Sequence, residues 1–152
     1  MNNILKSLLF ALIAALVLAI PAFADDFTPD LDKISIEASK NKGGFDAEIA
    51  AEFGIPIPKL NEMRAKFGMK DGDIYMACEL GKQANKPIDD VIEKYNKNKS
   101  KGWGFIAKEM GIKPGSPEFK ALKAKAKGKH DKMKEKGKGK GKGKSEEKGK
   151  KK

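Results

Sequence analysis

Lysine is the one residue type dense enough in this chain to do chemistry, and that chemistry is the neutralisation of phosphate, sulfate or carboxylate groups. From Lys120 to Lys152, sixteen lysines stand against Asp131, Glu135, Glu146 and Glu147, a net charge of +12, whereas residues 25–119 carry a net of −2. The basic balance of the whole chain, +11 with a pI near 9.6, therefore belongs to its C-terminal end. Each lysine set beside a phosphate releases a condensed counterion, so such a segment binds polyanions without sequence choice and with steep salt dependence. The candidate contacts are Lys132, Lys134, Lys136, Lys138, Lys140, Lys142, Lys144, Lys148, Lys150, Lys151 and Lys152. The segment has no arginine to form a bidentate fork and no aromatic on which a base could stack, which argues against specific readout.

Residues that carry other chemistry are sparse. His130 is the sole histidine and Cys78 the sole cysteine. No metal-ligand cluster, no phosphate-cradling glycine loop ahead of a helix and no nucleophile with an adjacent base can be assembled from the pattern. Asp71-Gly72-Asp73 lacks the remaining ligands of a calcium loop. The acid pairs Asp89-Asp90 and Glu146-Glu147 fall at a helix start and in the tail, where dipole complementation and solvation account for them. The pattern reads as a protein without catalytic activity, cofactor, metal or small-molecule substrate. A lone cysteine cannot close an internal disulfide, and Cys78, inside Tyr75–Leu80, reads as a small buried hydrophobe rather than a reactive thiol.

Compartment decides which polyanions such a tail would meet. Lys6 precedes an uncharged run from Leu8 to Ile20, followed by Pro21 and Ala22-Phe23-Ala24. The apolar run, about 13 residues, is short of the roughly 20 that span a bilayer, and the small-x-small triplet suits signal peptidase. Residues 1–24 therefore read as a secretory signal peptide, with cleavage before Asp25 favoured over retention as an anchor, and the mature protein as periplasmic or secreted. Its polyanions would then be anionic lipid, lipopolysaccharide, wall polymer or extracellular DNA. No protein partner is legible in the sequence.

The elements that carry the lysines follow from apolar spacing. An all-α domain of six or seven short helices is expected over residues 25–125. Its helices run over Asp30–Ser39, Phe45–Phe53, Leu60–Phe67, from Asp71 or Asp73 to Leu80, from Ile88 to Tyr95, from Phe105 to Met110, and onward from Pro117 behind a Ser116 cap. The core is expected to hold Phe45, Ile49, Phe53, Leu60, Phe67, Tyr75, Leu80, Val91, Ile92, Trp103, Ile106 and Met110. Residues 126–152 follow as a low-complexity tail. Ala121 to Lys127 can extend the last helix, but the Gly-Lys alternation of Gly137 to Lys144 cannot bury a core, so disorder is expected of the tail.

Three glycine-stopped segments repeat a pattern: Ala50-x-Glu52-Phe53-Gly54, Ala77-x-Glu79-Leu80-Gly81 and Ala107-x-Glu109-Met110-Gly111. The first and third continue Gly-Ile into a proline-containing turn, which suggests a helix-turn-helix-like unit used twice. Ile49, Ala50, Phe53, Gly54, Ile55, Leu60 and Met63 also match the spacing of DNA-reading helix-turn-helix motifs. The would-be recognition helix offers only Lys59, Arg64 and Lys66, with Glu62 among them, so core packing is the preferred reading and DNA reading a remote alternative.

The segment from about Met69 to Leu122, with Gly-Trp-Gly-Phe-Ile-Ala-Lys and Gly-Ile-Lys-Pro-Gly-Ser-Pro-Glu-Phe, resembles an uncharacterised family of small exported bacterial helical proteins. The resemblance implies export and a helical domain and brings no activity with it. Two function classes follow. One is an exported module that binds anionic polymers or surfaces through its lysines; the other is a protein-interaction or structural helical domain with an incidental solubilising tail.

Overall fold

Helix α1 spans Thr28–Lys40, α2 Lys42–Phe53, α3 Ile57–Phe67, α4 Asp71–Ala84 and α5 Ile88–Asn98. A 3-10 turn, Lys99–Lys101, leads into α6, Gly102–Glu109, and α7 closes the order at Pro117–Gly139. This is a computed structural model describing residues 27–139, and the protein is all-α, with no strand among the described residues. The signal segment 1–24, the cleavage point before Asp25, and Lys140, Lys142, Lys144, Lys148, Lys150, Lys151 and Lys152 lie outside the described residues.

Helix ends fall where the local chemistry asks for them. Gly54 and Gly68 take left-handed backbone at φ 68° and 64°, and Met69 N–H reaches back to the Met63 carbonyl at 3.3 Å, closing α3. Ser116 Oγ accepts the Phe119 N–H at 3.2 Å, and Pro117 occupies the first helical position of α7. Two details depart from the sequence reading. Asn41 does not open a four-residue break: its Oδ1 accepts the Gly44 N–H at 3.2 Å, so α2 restarts at Lys42. Gly81 does not stop α4 either. It is buried within the helix against the Lys86 carbonyl and Val91, and the left-handed stop falls to Asn85 at φ 52°. The middle copy of the repeated pattern is therefore punctuation by coincidence.

Helix α4 is the hub. Every residue from Ile74 to Gly81 is buried, and α1, α2, α3, α5 and α7 all pack on it. Its closest neighbour is α1. A Cβ built on Gly72 would lie 2.1 Å from the Leu31 carbonyl oxygen, and Gly72 N–H donates to Ser35 Oγ at 2.9 Å. Only a glycine lets the two backbones meet there. The expected core is largely present, with Phe53 and Phe67 half-buried at its rim. Trp103 is buried against Tyr95, and its Nε1–H donates to Asp73 Oδ1 at 2.8 Å.

The main correction concerns the boundary at residue 125. Phe119, Leu122, Ala126, Lys129 and Met133 recur three and four residues apart, and the first four are buried. Helix α7 therefore continues to Gly139, through the first part of the expected tail. It runs alongside α1 in the same direction, with Phe27 on Phe119 at 5.2 Å between ring centroids and Glu37 beside Gly137.

Two glycine substitutions test this packing in opposite directions. Gly72→Ala forces the α1–α4 crossing apart and is expected to lower stability by about 1–3 kcal/mol, as overpacking does. Gly43→Ala, in α2 with nothing near its added methyl, is expected to raise it by roughly 0.5–1 kcal/mol. Urea unfolding midpoints read both.

Candidate polyanion-binding site

Helix α7 has two sides. Its inner side presents Phe119, Leu122, Ala126 and Met133 to α1 and α4. Its flank meets an acidic floor made by Glu48 and Glu52 of α2 and Glu79 of α4. Lys125 bridges to buried Glu79, and the Lys125 carbonyl accepts the Tyr75 hydroxyl at 3.2 Å. Lys129 takes a position in the apolar stripe and is only 5% exposed. Its ammonium sits 3.0 Å from Glu48 Oε1 and 3.8 Å from Glu52 Oε2, between the rings of Tyr75 and Phe45, at 5.2 and 5.8 Å from their centroids. An ammonium enclosed this way is tolerable because carboxylates and ring faces replace its water. Lys136 closes the row at 3.3 Å from Glu48 Oε2.

The outer side is the candidate site. Lys120, Lys127, Lys134 and Lys138 lie along one solvent-facing stripe, with Lys132 on the flank, and each is exposed. None of the five has an ion pair among the described residues. Seven residues of helix rise about 10 Å, so Lys120, Lys127 and Lys134 are spaced along a rod at that interval. Asp131 and Glu135 are the exposed acids on this side, and Asp131 Oδ1 is 3.2 Å from His130 Nδ1.

Of the lysines expected to bind polyanions, Lys132, Lys134 and Lys138 stand free on α7, while Lys136 is engaged with Glu48. Lys120 and Lys127 belong to this surface too, although the sequence reading placed the contacts only from Lys132 onward, beyond a helix expected to end near residue 125. The signal that could have found them is the spacing of Leu122, Ala126 and Met133, four and then seven residues, which keeps them on one helical face and so fixes the opposite one.

On α3, by contrast, the cations are consumed internally. Glycine-stopped α2 is followed by proline-opened α3, and all three cations of α3 are paired. Lys59 bridges Glu62 and Asp89, and Lys66 bridges Glu62. Arg64, the only arginine, lies between Asp46 and Asp71, donating from Nε to Asp71 Oδ1 at 2.8 Å and from its terminal nitrogens to Asp46. Cys78 is buried, and burial, helped by Glu79 and Glu52, pushes its thiol up to about 12. Among the described residues no cluster of histidine, cysteine and acids is placed to hold a metal, and no helix is long and apolar enough to cross a membrane.

The chain matches no protein-family model, no curated protein and no solved structure. The site is therefore read from its own geometry.

Two measurements check this electrostatic account. Burial by itself would raise the Glu48 pKa, but Lys129 and Lys136 outweigh it and hold the group below the ordinary 4.5. A depressed carboxylate stabilises the fold fully above its unfolded value and loses that contribution as pH falls through the folded one. Glu48→Gln is thus expected to cost about 1–3 kcal/mol at neutral pH, by stranding Lys129. That difference from wild type should shrink as pH falls below 4.5 in matched thermal melts. Cys78, in turn, is expected to resist alkylation by iodoacetamide in the native protein and to react at the rate at which the chain unfolds.

Proposed function

We propose that this protein is an exported, non-enzymatic binder of anionic polymers or surfaces, acting through α7 and the lysines that follow it. The observation that carries the reading is the stripe of Lys120, Lys127, Lys134 and Lys138, held outward on a docked helix and free of ion pairs among the described residues, whereas the cations of α3 are neutralised. Export rests on residues 1–24 and on the resemblance of segment 69–122 to small exported bacterial proteins. An exported chain of this charge meets anionic head groups, lipopolysaccharide phosphates, wall polymers and extracellular DNA.

The chemistry of the contact is ionic and sequence-blind. Lysine is a point charge, and the outer face of α7 carries no arginine fork and no aromatic for stacking. The apolar side of α7 is turned into the protein, so attachment to a membrane would be electrostatic rather than by insertion. DNA reading by α2 and α3 is disfavoured by the pairing of Lys59, Arg64 and Lys66.

Replacing Lys120, Lys127, Lys134 and Lys138 together by glutamine tests this directly. Log affinity for duplex DNA or heparin is expected to fall linearly with log salt in the wild type, and the variant's slope to be shallower by about 0.9 for each phosphate it no longer neutralises. Unrelated DNA sequences should bind alike. Absence of binding to heparin, DNA and anionic vesicles at low salt would leave the alternative, a protein-interaction or structural domain whose lysines only solubilise it.

A further inference from the structure

The two halves of α7 are held by different forces. Its first half, to Ala126, is anchored by Phe119 and Leu122, both fully buried. Beyond Gly128 the attachment to the body is mainly ionic: Lys129 to Glu48 and Glu52, and Lys136 to Glu48, with Met133 as the one partly buried apolar side chain. Gly128 meets nothing within 4 Å of an added Cβ and weakens the helix at the junction. Beneath the second half, Phe45, Asn41, Glu37, Met133 and Lys136 line a cavity of about 550 Å³, so the apolar packing is incomplete there. Lys129 Nζ is enclosed yet makes no well-aligned hydrogen bond, Glu48 at 3.0 Å lying off the favourable direction and Glu52 too far away at 3.8 Å.

We propose that the acidic floor of Glu48 and Glu52 is an internal competitor for polyanion, so that a bound linear polyanion takes over Lys129 and Lys136 and lifts the half of α7 from Gly128 to Gly139 off α1 and α2. The inference rests on the polyanion-binding reading and adds its regulation. The floor offers the lysines isolated carboxylates, while a linear polyanion offers a dense row of charges whose counterions are released on binding, a gain that grows as salt falls. The exposed lysines Lys127, Lys132 and Lys134 lie on the same helical turns and would bring the ligand to the edge of the bridges before they open. Leu122 and Phe119 keep the first half in place, so the released half stays tethered.

The test compares two single-lysine deletions in the full chain. Lys127→Met removes an exposed charge; Lys129→Met removes a buried one and puts a hydrophobe of similar length into the stripe, so the fold is retained. The readouts are the salt dependence of duplex DNA affinity and amide hydrogen exchange over residues 129–139. If α7 lifts, Lys129→Met flattens the slope by about 0.9, as Lys127→Met does, and DNA accelerates exchange over 129–139 in the wild type. If Lys129→Met keeps the wild-type slope while Lys127→Met flattens it, and exchange over 129–139 does not rise with DNA, the half-helix stays docked and the proposal is overturned. Wild-type protein that fails to bind duplex DNA at low salt would sink the polyanion reading itself, and this inference with it.

Discussion

The structure depends on one constraint: α4 is buried from Ile74 to Gly81, so most of the polar groups along its first half reach partners on other helices. Its sequence, Asp71-Gly72-Asp73-Ile74-Tyr75-Met76-Ala77-Cys78-Glu79-Leu80, distributes those partners over α1, α3, α5, α6 and α7. Asp71 takes Arg64 of α3, which also holds Asp46 of α2. Gly72 receives the backbone of α1. Asp73 accepts from Trp103 Nε1 of α6 at 2.8 Å, from the Tyr95 hydroxyl of α5 at 3.2 Å, and from the Lys70 N–H at the start of α4 itself at 3.1 Å. Tyr75 and Glu79 hold Lys125 of α7. An unpartnered buried polar group costs more than a hydrogen bond returns, so these pairings select the arrangement of helices more sharply than apolar area does.

Helix α7 shows the same logic in its weaker form. Lysines three and four residues apart repel one another, and Gly128 and Gly137 lower its propensity, so this segment would be a poor helix in isolation. It is helical because the body supplies what it lacks: apolar partners for Phe119, Leu122, Ala126 and Met133, and carboxylates for Lys125, Lys129 and Lys136. The body can do so because residues 25–119 are slightly acidic while the C-terminal segment is strongly basic. Docking consumes one flank of the helix and leaves the other charged. A cationic surface with fixed lysine spacing is the by-product of a folding requirement.

This division bears on what the protein can discriminate. Lysines on a rod at about 10 Å intervals are near the screening length of physiological salt, so under the proposed function they would act nearly independently and favour ligands of high charge density over ligands of particular shape. Specific recognition would need forks, stacked rings or an enclosed pocket. The molecule's one arginine is held by Asp46 and Asp71, and its one tryptophan is buried against Tyr95 and Asp73.

Much of the fold was legible in the sequence because it is local. Apolar spacing of three and four, Gly54, Gly68 and Ser116 at helix ends, and the concentration of lysine after Lys120 are properties of short stretches, and they gave the all-α class, most helix positions and the basic end of the chain. What the sequence could not supply was partnership. Gly81 looks like a stop in isolation and is an interior residue because α5 needs its small size; Asp73 looks like a cap and is also the acceptor for Trp103 and Tyr95. Residues 126–139 read as tail because lysine and glycine carry no core signal. Only when α1 lays its apolar side beside them, with Glu48 and Glu52 below, does Lys129 become an inside residue and Lys127 an outside one. Neighbours in space, not in sequence, set the free energy of a buried charge, and so the tertiary structure alone decided which lysines are bound and which are free.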